Sequence, residues 1–156
     1  KIKFKAKIKK LKKKKQTKKI VGGYFAYNYE VSVMPILEKF KQLNYITAIP
    51  KIGKKYDMNF FVWSIYDPLN INKYGIPEPI TNKITYPDIL LVPLVAYDEE
   101  RNRIGYGGGF YDRYIKKIKK VKKVLTIGIA FSYQKVKKIP IEKNDIKLDF
   151  IITEKN

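Results

Sequence analysis

The fold is decided by the stretch ILLVPLVAYDEERNRIGYGGGFYDR, which runs from Ile89 to Arg113. Its first part, residues 89–95, is a continuous apolar run that predicts a buried strand, and a polar turn follows over residues 98–103. Next come four glycines and then a helical pattern; the glycines are Gly105, Gly107, Gly108 and Gly109. Such a unit presents backbone N–H groups at a helix N-terminus, where the helix dipole favours anions. The stretch therefore predicts a phosphate-binding turn, with an ordinary structural turn as the alternative.

The glycine turn matches neither of the two common phosphate-binding motifs. The chain has no G-x-x-x-x-G-K-[ST], and Phe110 stands where G-x-G-x-x-G needs its third glycine. Charged neighbours still distinguish this turn from a simple loop, because Arg103 precedes it and Tyr111, Asp112 and Arg113 follow it directly. These residues favour a functional turn.

The composition limits the chemistry that the protein can use. The chain has 156 residues, enough for one domain with a substantial core, and it contains no cysteine and no histidine. Disulfides, thiol nucleophiles, imidazole bases and zinc sites built from these residues are therefore excluded. Acid–base and metal chemistry must come from Asp, Glu, Lys, Tyr and Arg. No apolar run approaches the ~20 residues of a membrane span, so we expect a cytoplasmic protein without a membrane partner, with an organelle as the alternative location.

The net charge of +20 raises the question of nucleic-acid binding. Only three of the 34 basic residues are arginine, the side chain that base-edge recognition and phosphate forks favour. Twelve lysines lie within residues 1–20, where there is no acidic residue, so much of the charge is concentrated at one end. We therefore expect a solvated lysine-rich surface and no specific nucleic-acid partner.

Two regions are predicted along the chain. Residues 1–19 form a basic segment in which Phe4, Ile8 and Leu11 recur at helical spacing. This segment is either a helix that lies on the domain or partly disordered, as the lysine run over residues 12–15 suggests. Residues 20–156 are expected to form a single α/β catalytic domain.

Strand-like and helix-like patterns alternate from residue 20 onward. Apolar runs predict strands over residues 20–26, 45–49, 58–66, 89–95, 124–130 and 146–152. Pro50 is expected to end the second strand, and Ser32 to cap a first helix that reaches Leu43. A second helix is expected from Gly109 to Lys123, and the proline-rich residues 67–88 are expected to be irregular. The alternation predicts a three-layer α/β/α domain with a mostly parallel central sheet.

Polar residues follow several of the apolar runs. They are Glu30, the turn over residues 98–103, and Gln134. Because ligands of open α/β sheets bind at the carboxyl ends of the strands, we expect these residues to converge on one edge of the sheet.

At these residues the sequence resembles the 5-formyltetrahydrofolate cyclo-ligase family, also called 5,10-methenyltetrahydrofolate synthetases. The resemblance covers roughly residues 18–154 in the order and spacing of the family. The shared motifs are residues 74–79 (YGIPEP), 91–93 (LVP), Asp98, residues 103–113, Gln134, residues 139–140 and 144–145, and residues 151–154 (IITE).

The resemblance implies an activity and a fold. The activity is the ATP- and Mg²⁺-dependent cyclisation of 5-formyltetrahydrofolate to 5,10-methenyltetrahydrofolate, with release of ADP and phosphate. The chemistry proceeds through phosphorylation of the formyl oxygen, which turns a poor leaving group into phosphate. The fold of the family is a three-layer α/β/α domain, in agreement with the pattern of strands and helices. A monomer acting on a small molecule, the folate with or without a polyglutamate tail, is expected.

The resemblance also implies roles for particular residues. Arg103 and Asp112 are the expected catalytic residues. The nucleotide phosphates are expected to bind Arg103, Ile104, Gly105, Tyr106, Gly107, Gly108, Gly109, Phe110 and Tyr111. The folate is expected to contact Phe25, Glu30, Tyr106, Gly107, Gly108, Gly109 and Phe110.

Two carboxylates are implied as magnesium ligands, Asp112 and Asp145. Paired carboxylates together with phosphate oxygens make the oxygen-rich site that Mg²⁺ prefers. The structural alternative for Asp112 is a helix N-terminal carboxylate that interacts with the dipole. For Asp145 it is an ordinary turn residue, and for Phe25 it is an ordinary core position.

The chain departs from the family pattern at three places. Many members carry lysine at the position of Gly108 and tyrosine at that of Phe110. Their N-terminal helix also supplies Lys and Arg groups to ATP, and this segment is not recognisable within residues 1–19. These departures leave open an alternative function, a non-catalytic protein of the same fold that binds reduced folate or nucleotide.

Overall fold

The computed structural model describes residues 17–156. Most of the predicted basic segment, residues 1–16, lies outside the described residues. Residues 17–19 have no regular secondary structure, and the first strand begins at Ile20. Within residues 17–156, no helix is both long and apolar enough to cross a bilayer.

Eleven strands and two α-helices make up the described fold. The strands are β1 (Ile20–Gly22), β2 (Ile46–Ile52), β3 (Met58–Val62), β4 (Leu69–Ile71), β5 (Pro77–Pro79), β6 (Ile84–Thr85), β7 (Ile89–Val92), β8 (Ala96–Tyr97), β9 (Arg103–Ile104), β10 (Leu125–Ile129) and β11 (Phe150–Ile152). The helices are α1 (Met34–Gln42) and α2 (Phe110–Lys119). Most predicted elements exist, and most of them end inside the predicted bounds, but β2 continues to Ile52 beyond the predicted end at residue 49.

The central sheet has seven strands in the order β11-β10-β7-β1-β2-β3-β6. The five strands from β11 to β2 are parallel, and β3 and β6 add an antiparallel margin. The predicted mostly parallel sheet is therefore confirmed. β4 pairs with β5, and β8 with β9, in two separate hairpins.

A helix covers each face of this sheet. Leu37 of α1 packs with Val21, Ile49 and Leu91 in one core cluster, which includes Trp63. The other cluster joins α2, through its buried residues Tyr114, Ile115 and Ile118, to Phe60, Leu90 and Val92. Neighbours on one strand, such as Leu90 and Leu91, thus point to opposite faces, as the strand period requires. The result is the predicted three-layer arrangement.

The first strand is shorter than its apolar run suggested, and close packing explains the glycines in it. A Cβ on Gly22 would lie 2.8 Å from Pro87 and 2.9 Å from the ring of Phe60. A Cβ on Gly23 would lie 2.6 Å from the side chain of Leu37. The missing side chain at Gly23 lets β1 approach Leu37 of α1, and the one at Gly22 makes room for Pro87 and Phe60.

Two local predictions were wrong. Helix α1 begins at Met34 after Val33, with no side-chain cap from Ser32, although Pro35 does lie in its first turn. Pro50 does not end β2, because β1 pairs with β2 only as far as Ala48. Beyond that point β2 has β3 as its partner on one side, so a residue without an N–H is tolerated.

Residues 67–88 are more ordered than their prolines suggested. They contain the β4–β5 hairpin and the margin strand β6, and Pro77 and Pro79 pair with Ile71 and Leu69 in the hairpin. The register of a two-stranded hairpin leaves positions where a missing N–H removes no ladder bond. Propensity alone could not reveal that pairing.

The direction in which successive connections cross the sheet reverses between β1 and β7, although the two strands are parallel. From β1 the chain crosses through α1 to β2 on one side, whereas from β7 it crosses through α2 to β10 on the other. The carboxyl ends of β1 and β7 therefore form the switch point of the sheet, the place where open α/β sheets bind their ligands. The glycine turn lies beside this switch point, because that turn belongs to the connection from β7 to α2.

Candidate active site

The loop after β1 and the glycine turn meet at this switch point. The Tyr106 hydroxyl donates a 3.3 Å hydrogen bond to the carbonyl oxygen of Tyr27, and the two rings are edge to face at 5.3 Å. These residues are 79 positions apart in sequence. The contact joins the Glu30 loop to the predicted phosphate-binding turn, as the parallel sheet required. Tyr27 was not predicted, because nothing in its local pattern marks it.

Two glycines of the turn have left-handed backbone conformations. Gly107 and Gly109 have φ angles of 86° and 64°, in the left-handed region that residues with a Cβ rarely adopt. Gly109 is the N-cap of α2, with no side-chain cap, so the first N–H groups of the helix remain available to a ligand.

Arg113 holds the glycine turn from the helix side. Its Nη2 lies 2.7 Å from the carbonyl oxygen of Gly108 and 3.3 Å from that of Tyr56, and its guanidinium lies 5.2 Å from the ring centroid of Phe110. The Phe110 ring also lies 2.8 Å from the point where a Cβ on Gly108 would stand. A side chain at Gly108 would therefore have to displace that ring.

Arg103 is buried beneath the turn. Its side chain is only 5% exposed, and Nη2 forms a 2.9 Å ion pair with Oδ2 of Asp112. Nη1 lies 3.1 Å from the position of a Cβ on Gly105, so the guanidinium runs along the turn. Nε is buried without a hydrogen-bond partner among the described residues. An unpaired buried donor of this kind can bind an incoming anion.

Asp112 is fixed at both carboxylate oxygens. Oδ2 accepts from Arg103, and Oδ1 accepts a 3.0 Å hydrogen bond from the Ile146 amide. The residue before Ile146 is Asp145, whose own Oδ2 accepts a 2.8 Å bond from the amide of Glu142. The structure thus brings the backbone of the turn that contains Asp145 to the first turn of α2, where Asp112 lies.

Asp112 and Asp145 can be compared with the coordination that Mg²⁺ prefers. Among residues 17–156 there is no group of three or more acidic, histidine or cysteine side chains that could hold a metal ion. Mg²⁺ usually takes only one or two protein carboxylates and completes its octahedron with waters and phosphate oxygens. Carboxylate oxygens have more than one lone pair, so Asp112 and Asp145 remain candidate ligands for a magnesium ion that arrives with a phosphate, although both already accept hydrogen bonds.

Glu30 lies in a tight turn with Tyr27. Its Oε2 accepts a 2.8 Å hydrogen bond from the Tyr27 amide. Burial raises the pKa of the Glu30 carboxyl above its ordinary value, and the bond from Tyr27 opposes the rise only in part. A half-buried carboxyl of this kind can accept or donate a hydrogen bond to a heterocycle.

Tyr111 lies beside Arg103, whose guanidinium carbon is 6.0 Å from the centroid of the tyrosine ring. Its hydroxyl is buried with no hydrogen-bond partner among the described residues, and burial raises its pKa well above the ordinary value. Tyr24 and Glu30 raise that pKa further through their charges. The hydroxyl therefore remains protonated and can serve as a donor.

Phe25 packs toward the core. Its ring meets Trp63 edge to face at 5.5 Å, in the cluster under α1. The Phe25 ring is half-buried. Tyr27, in the same loop, contacts the glycine turn through the ring of Tyr106. The geometry therefore supports the core alternative for Phe25.

Asp98 and Gln134 have structural contacts. Asp98 is buried and accepts hydrogen bonds from the amides of Glu100, Asn102 and Ile139. Burial tends to raise the pKa of Asp98, but its hydrogen bonds, foremost that from the Asn102 side chain, hold the pKa below its ordinary value. Gln134 is also buried and donates to the carbonyl oxygens that follow β7, at Leu94 and Val95. Both residues hold loops at the edge of the sheet.

An α/β protein with a glycine turn at the switch point of a parallel sheet belongs to the doubly wound α/β class, in which ligands bind outside the carboxyl ends of the strands. The family model described as "5-formyltetrahydrofolate cyclo-ligase family" matches residues 2–154. The chain belongs to the 5-formyltetrahydrofolate cyclo-ligase family, as its motifs predicted, and it is an enzyme.

Individual relatives agree with this assignment. The chain is 32% identical over 138 residues to the 5-formyltetrahydrofolate cyclo-ligase of Haemophilus influenzae, a match that covers 83% of this chain and 73% of the relative. It is 30% identical over 137 residues to the enzyme of that name from Mycoplasma pneumoniae, covering 87% and 73%.

Solved structures share the fold. The NMR structure of the Aquifex aeolicus 5,10-methenyltetrahydrofolate synthetase superimposes with a TM-score of 0.71 at 30% identity and covers 96% of this chain and 76% of that one. The Mycoplasma pneumoniae 5,10-methenyltetrahydrofolate synthetase gives a TM-score of 0.64 at 25% identity, with 94% and 80% covered.

Proposed function

We propose that the protein converts 5-formyltetrahydrofolate into 5,10-methenyltetrahydrofolate, using ATP and Mg²⁺ and releasing ADP and phosphate. One observation supports this reaction most directly. The buried ion pair between Arg103 and Asp112 lies under a glycine turn at the switch point of the sheet, beside the turn of Asp145. This arrangement combines backbone donors, a buried cation and two carboxylates, which phosphoryl transfer requires.

The nucleotide phosphates bind along residues 103–111 in this proposal. Micromolar affinity requires about 8 kcal/mol, whereas the dipole at a helix N-terminus contributes about 1 kcal/mol. The glycine turn is therefore insufficient alone. Arg103 supplies a cation that needs no further burial, since its side chain is already only 5% exposed. Asp112 and Asp145 would hold Mg²⁺, which neutralises charge on the phosphate oxygens when it is bound.

The folate binds on the other side of the turn, between Tyr106 and Glu30. Glu30 is the candidate partner for the polar edge of the pterin, because its carboxyl is half-buried and fixed by Tyr27. Tyr106 is about half exposed, so its ring offers an apolar surface beside that carboxyl.

The chemistry requires positioning and charge neutralisation without a protein nucleophile. The formyl oxygen takes the terminal phosphoryl group, which makes it a good leaving group. N10 then attacks the formyl carbon, N10 loses its proton, and phosphate departs with the former formyl oxygen to leave the methenyl bridge. Arg103 and the N–H groups of the turn stabilise the charge on the phosphoryl oxygens during transfer. No step needs histidine or cysteine, which the chain lacks.

The test is a spectrophotometric assay of methenyl formation from 5-formyltetrahydrofolate. Absorbance of the methenyl product should grow only when both ATP and Mg²⁺ are present, and Asp112→Asn should abolish it. Tight folate binding by calorimetry without any product would instead favour the non-catalytic alternative. Full activity of folded Asp112→Asn would contradict the site.

A further inference from the structure

Arg113 brings a second guanidinium group to the N-terminus of α2. It is the fourth residue of the helix, and helical side chains lean toward the helix N-terminus. Its Nη1 accordingly lies 2.7 Å from the point where a Cβ on Gly109, the N-cap, would stand. Arg103 lies beneath the same turn, with its Nη1 3.1 Å from the Cβ position of Gly105. Two guanidinium groups therefore lie against one glycine turn.

Three contacts fix the Arg113 guanidinium but leave several of its donors unused. Nη2 donates to the carbonyl oxygens of Gly108 and Tyr56, and the group lies 5.2 Å from the centroid of the Phe110 ring. Nε and Nη1 form no hydrogen bond to other described residues, and the side chain has no ion pair within residues 17–156. Because the residue is exposed, these N–H groups are open to a ligand.

A cation at the position of Arg113 needs an anion nearby. The helix dipole places partial positive charge at the N-terminus, where a cation is disfavoured. Arg103 adds a positive charge beneath the turn, and its partner Asp112 is the one acidic residue in the first turn of α2. The buried Nε of Arg103, which has no hydrogen-bond partner within residues 17–156, requires an acceptor as well. A bound anion would offset this excess of positive charge.

We propose that Arg113 is a further catalytic residue, whose Nη1 and Nε contact the terminal phosphoryl group of the nucleotide at the N-terminus of α2. The inference rests on the proposed function. The terminal phosphate carries more negative charge than an internal one, and its oxygens need stabilisation during transfer. Arg103 reaches it from the Gly105 end of the turn and Arg113 from the Gly109 end. Arg113 keeps its proton throughout, so its contribution is electrostatic.

The variant Arg113→Gln removes the charge and keeps a polar side chain. We expect kcat to fall about a hundredfold, as when a donor to developing charge is lost, with the KM for 5-formyltetrahydrofolate unchanged. The matched control is Lys120→Gln, which removes one charge from an exposed residue at the C-cap of α2, about two turns further along. This control should leave kcat unchanged.

Nucleotide binding gives a readout that does not depend on turnover. Calorimetry with Mg²⁺ compares ADP with the β,γ-imido analogue of ATP, which has the terminal phosphoryl group but does not transfer it. We expect Arg113→Gln to weaken binding of the analogue about tenfold and that of ADP less than about twofold. An arginine that only held the carbonyl of Gly108 in place would affect the two nucleotides equally.

Arg113→Lys separates the charge from the support of the turn. Lysine retains a positive charge but lacks the planar fork that bonds two carbonyl oxygens and a phosphate together. We therefore expect this variant to recover part of the affinity for the analogue that Arg113→Gln loses. Urea denaturation of each variant shows that the protein measured is folded.

Three outcomes would overturn the proposal. They are an unchanged kcat in Arg113→Gln, equal losses of affinity for ADP and the analogue, and no recovery in Arg113→Lys. If the unmodified protein turns over no formylfolate, the proposed reaction fails, and the calorimetric comparison still decides the contact. A selective loss of analogue binding would then support Arg113 as a ligand of the terminal phosphate.

Discussion

Arg103 and Asp112 form a buried ion pair, with Nη2 and Oδ2 2.9 Å apart and the arginine side chain 5% exposed. The pair joins β9 to the first turn of α2 across the glycine turn. Asp112 also accepts from the Ile146 amide, so three segments meet at one carboxylate. The pair therefore positions the turn and provides the charges of the candidate site.

Replacing Asp112 by Asn should reduce stability as well as activity. The change leaves the Arg103 guanidinium buried without its counter-ion, so we expect the free energy of unfolding to fall by about 2 kcal/mol. Urea denaturation at neutral pH measures it. The control is Glu100→Gln, which removes an exposed ion pair with Lys147 and should leave the unfolding midpoint unchanged. Equal losses in the two variants would contradict the structural importance of the buried pair.

The substitution Gly109→Ala should distort its turn more than Gly75→Ala distorts the turn in which Gly75 lies. The residue has φ 64°, and its new Cβ would lie 2.7 Å from Nη1 of Arg113. Gly75→Ala is the matched control, since Gly75 has φ 76° but nothing within 4 Å of its Cβ position. Each change costs about 1 kcal/mol of backbone strain. Only Gly109→Ala should also weaken nucleotide binding, measured by calorimetry, and equal nucleotide affinities would refute the role of the turn.

Glu30→Gln should weaken folate binding without unfolding the protein. Because burial raises the pKa of Glu30, the ionised carboxylate is disfavoured in the folded state, and neutral glutamine should not lower stability at neutral pH. Loss of a directed hydrogen-bond partner should raise the KM for 5-formyltetrahydrofolate about tenfold or more. The KM for ATP is the internal control. A KM for folate that stays the same would remove Glu30 from the substrate site.

Protonation of Asp149 should account for part of the stability that the protein loses at low pH. Burial tends to raise the pKa of Asp149, but hydrogen bonds from the Thr126 amide and hydroxyl hold it below its ordinary value. Its contribution to stability is therefore present above the unfolded-state pKa of about 4 and is lost as the pH falls through the lower folded-state pKa. Urea midpoints at pH 7, 4 and 3 should decline less steeply for Asp149→Asn than for the unmodified chain. Parallel declines would rule out this contribution.

Much of the fold follows from local pattern. Continuous apolar runs such as residues 89–95 predict buried strands, and the period of Tyr114, Ile115 and Ile118 predicts the helix that covers them. Local pattern predicted the wrong end for a strand where tertiary pairing sets that end. Pro50 lies inside β2 because only β3 pairs with β2 at this position. The prediction that Ser32 caps α1 was wrong for a related reason, since packing of Val33 in the core fixes where α1 begins.

The sequence by itself determined the family, the parallel sheet and the glycine turn, because each depends on residues that are neighbours along the chain. Only the tertiary structure decided which side chains meet. Tyr106 contacts Tyr27, and Tyr56 contacts Arg113, across 79 and 57 positions of sequence. It also showed that Asp98 and Gln134 support loops through their hydrogen bonds. The physical reason is that contact between remote side chains depends on strand order and register, which local periodicity does not encode.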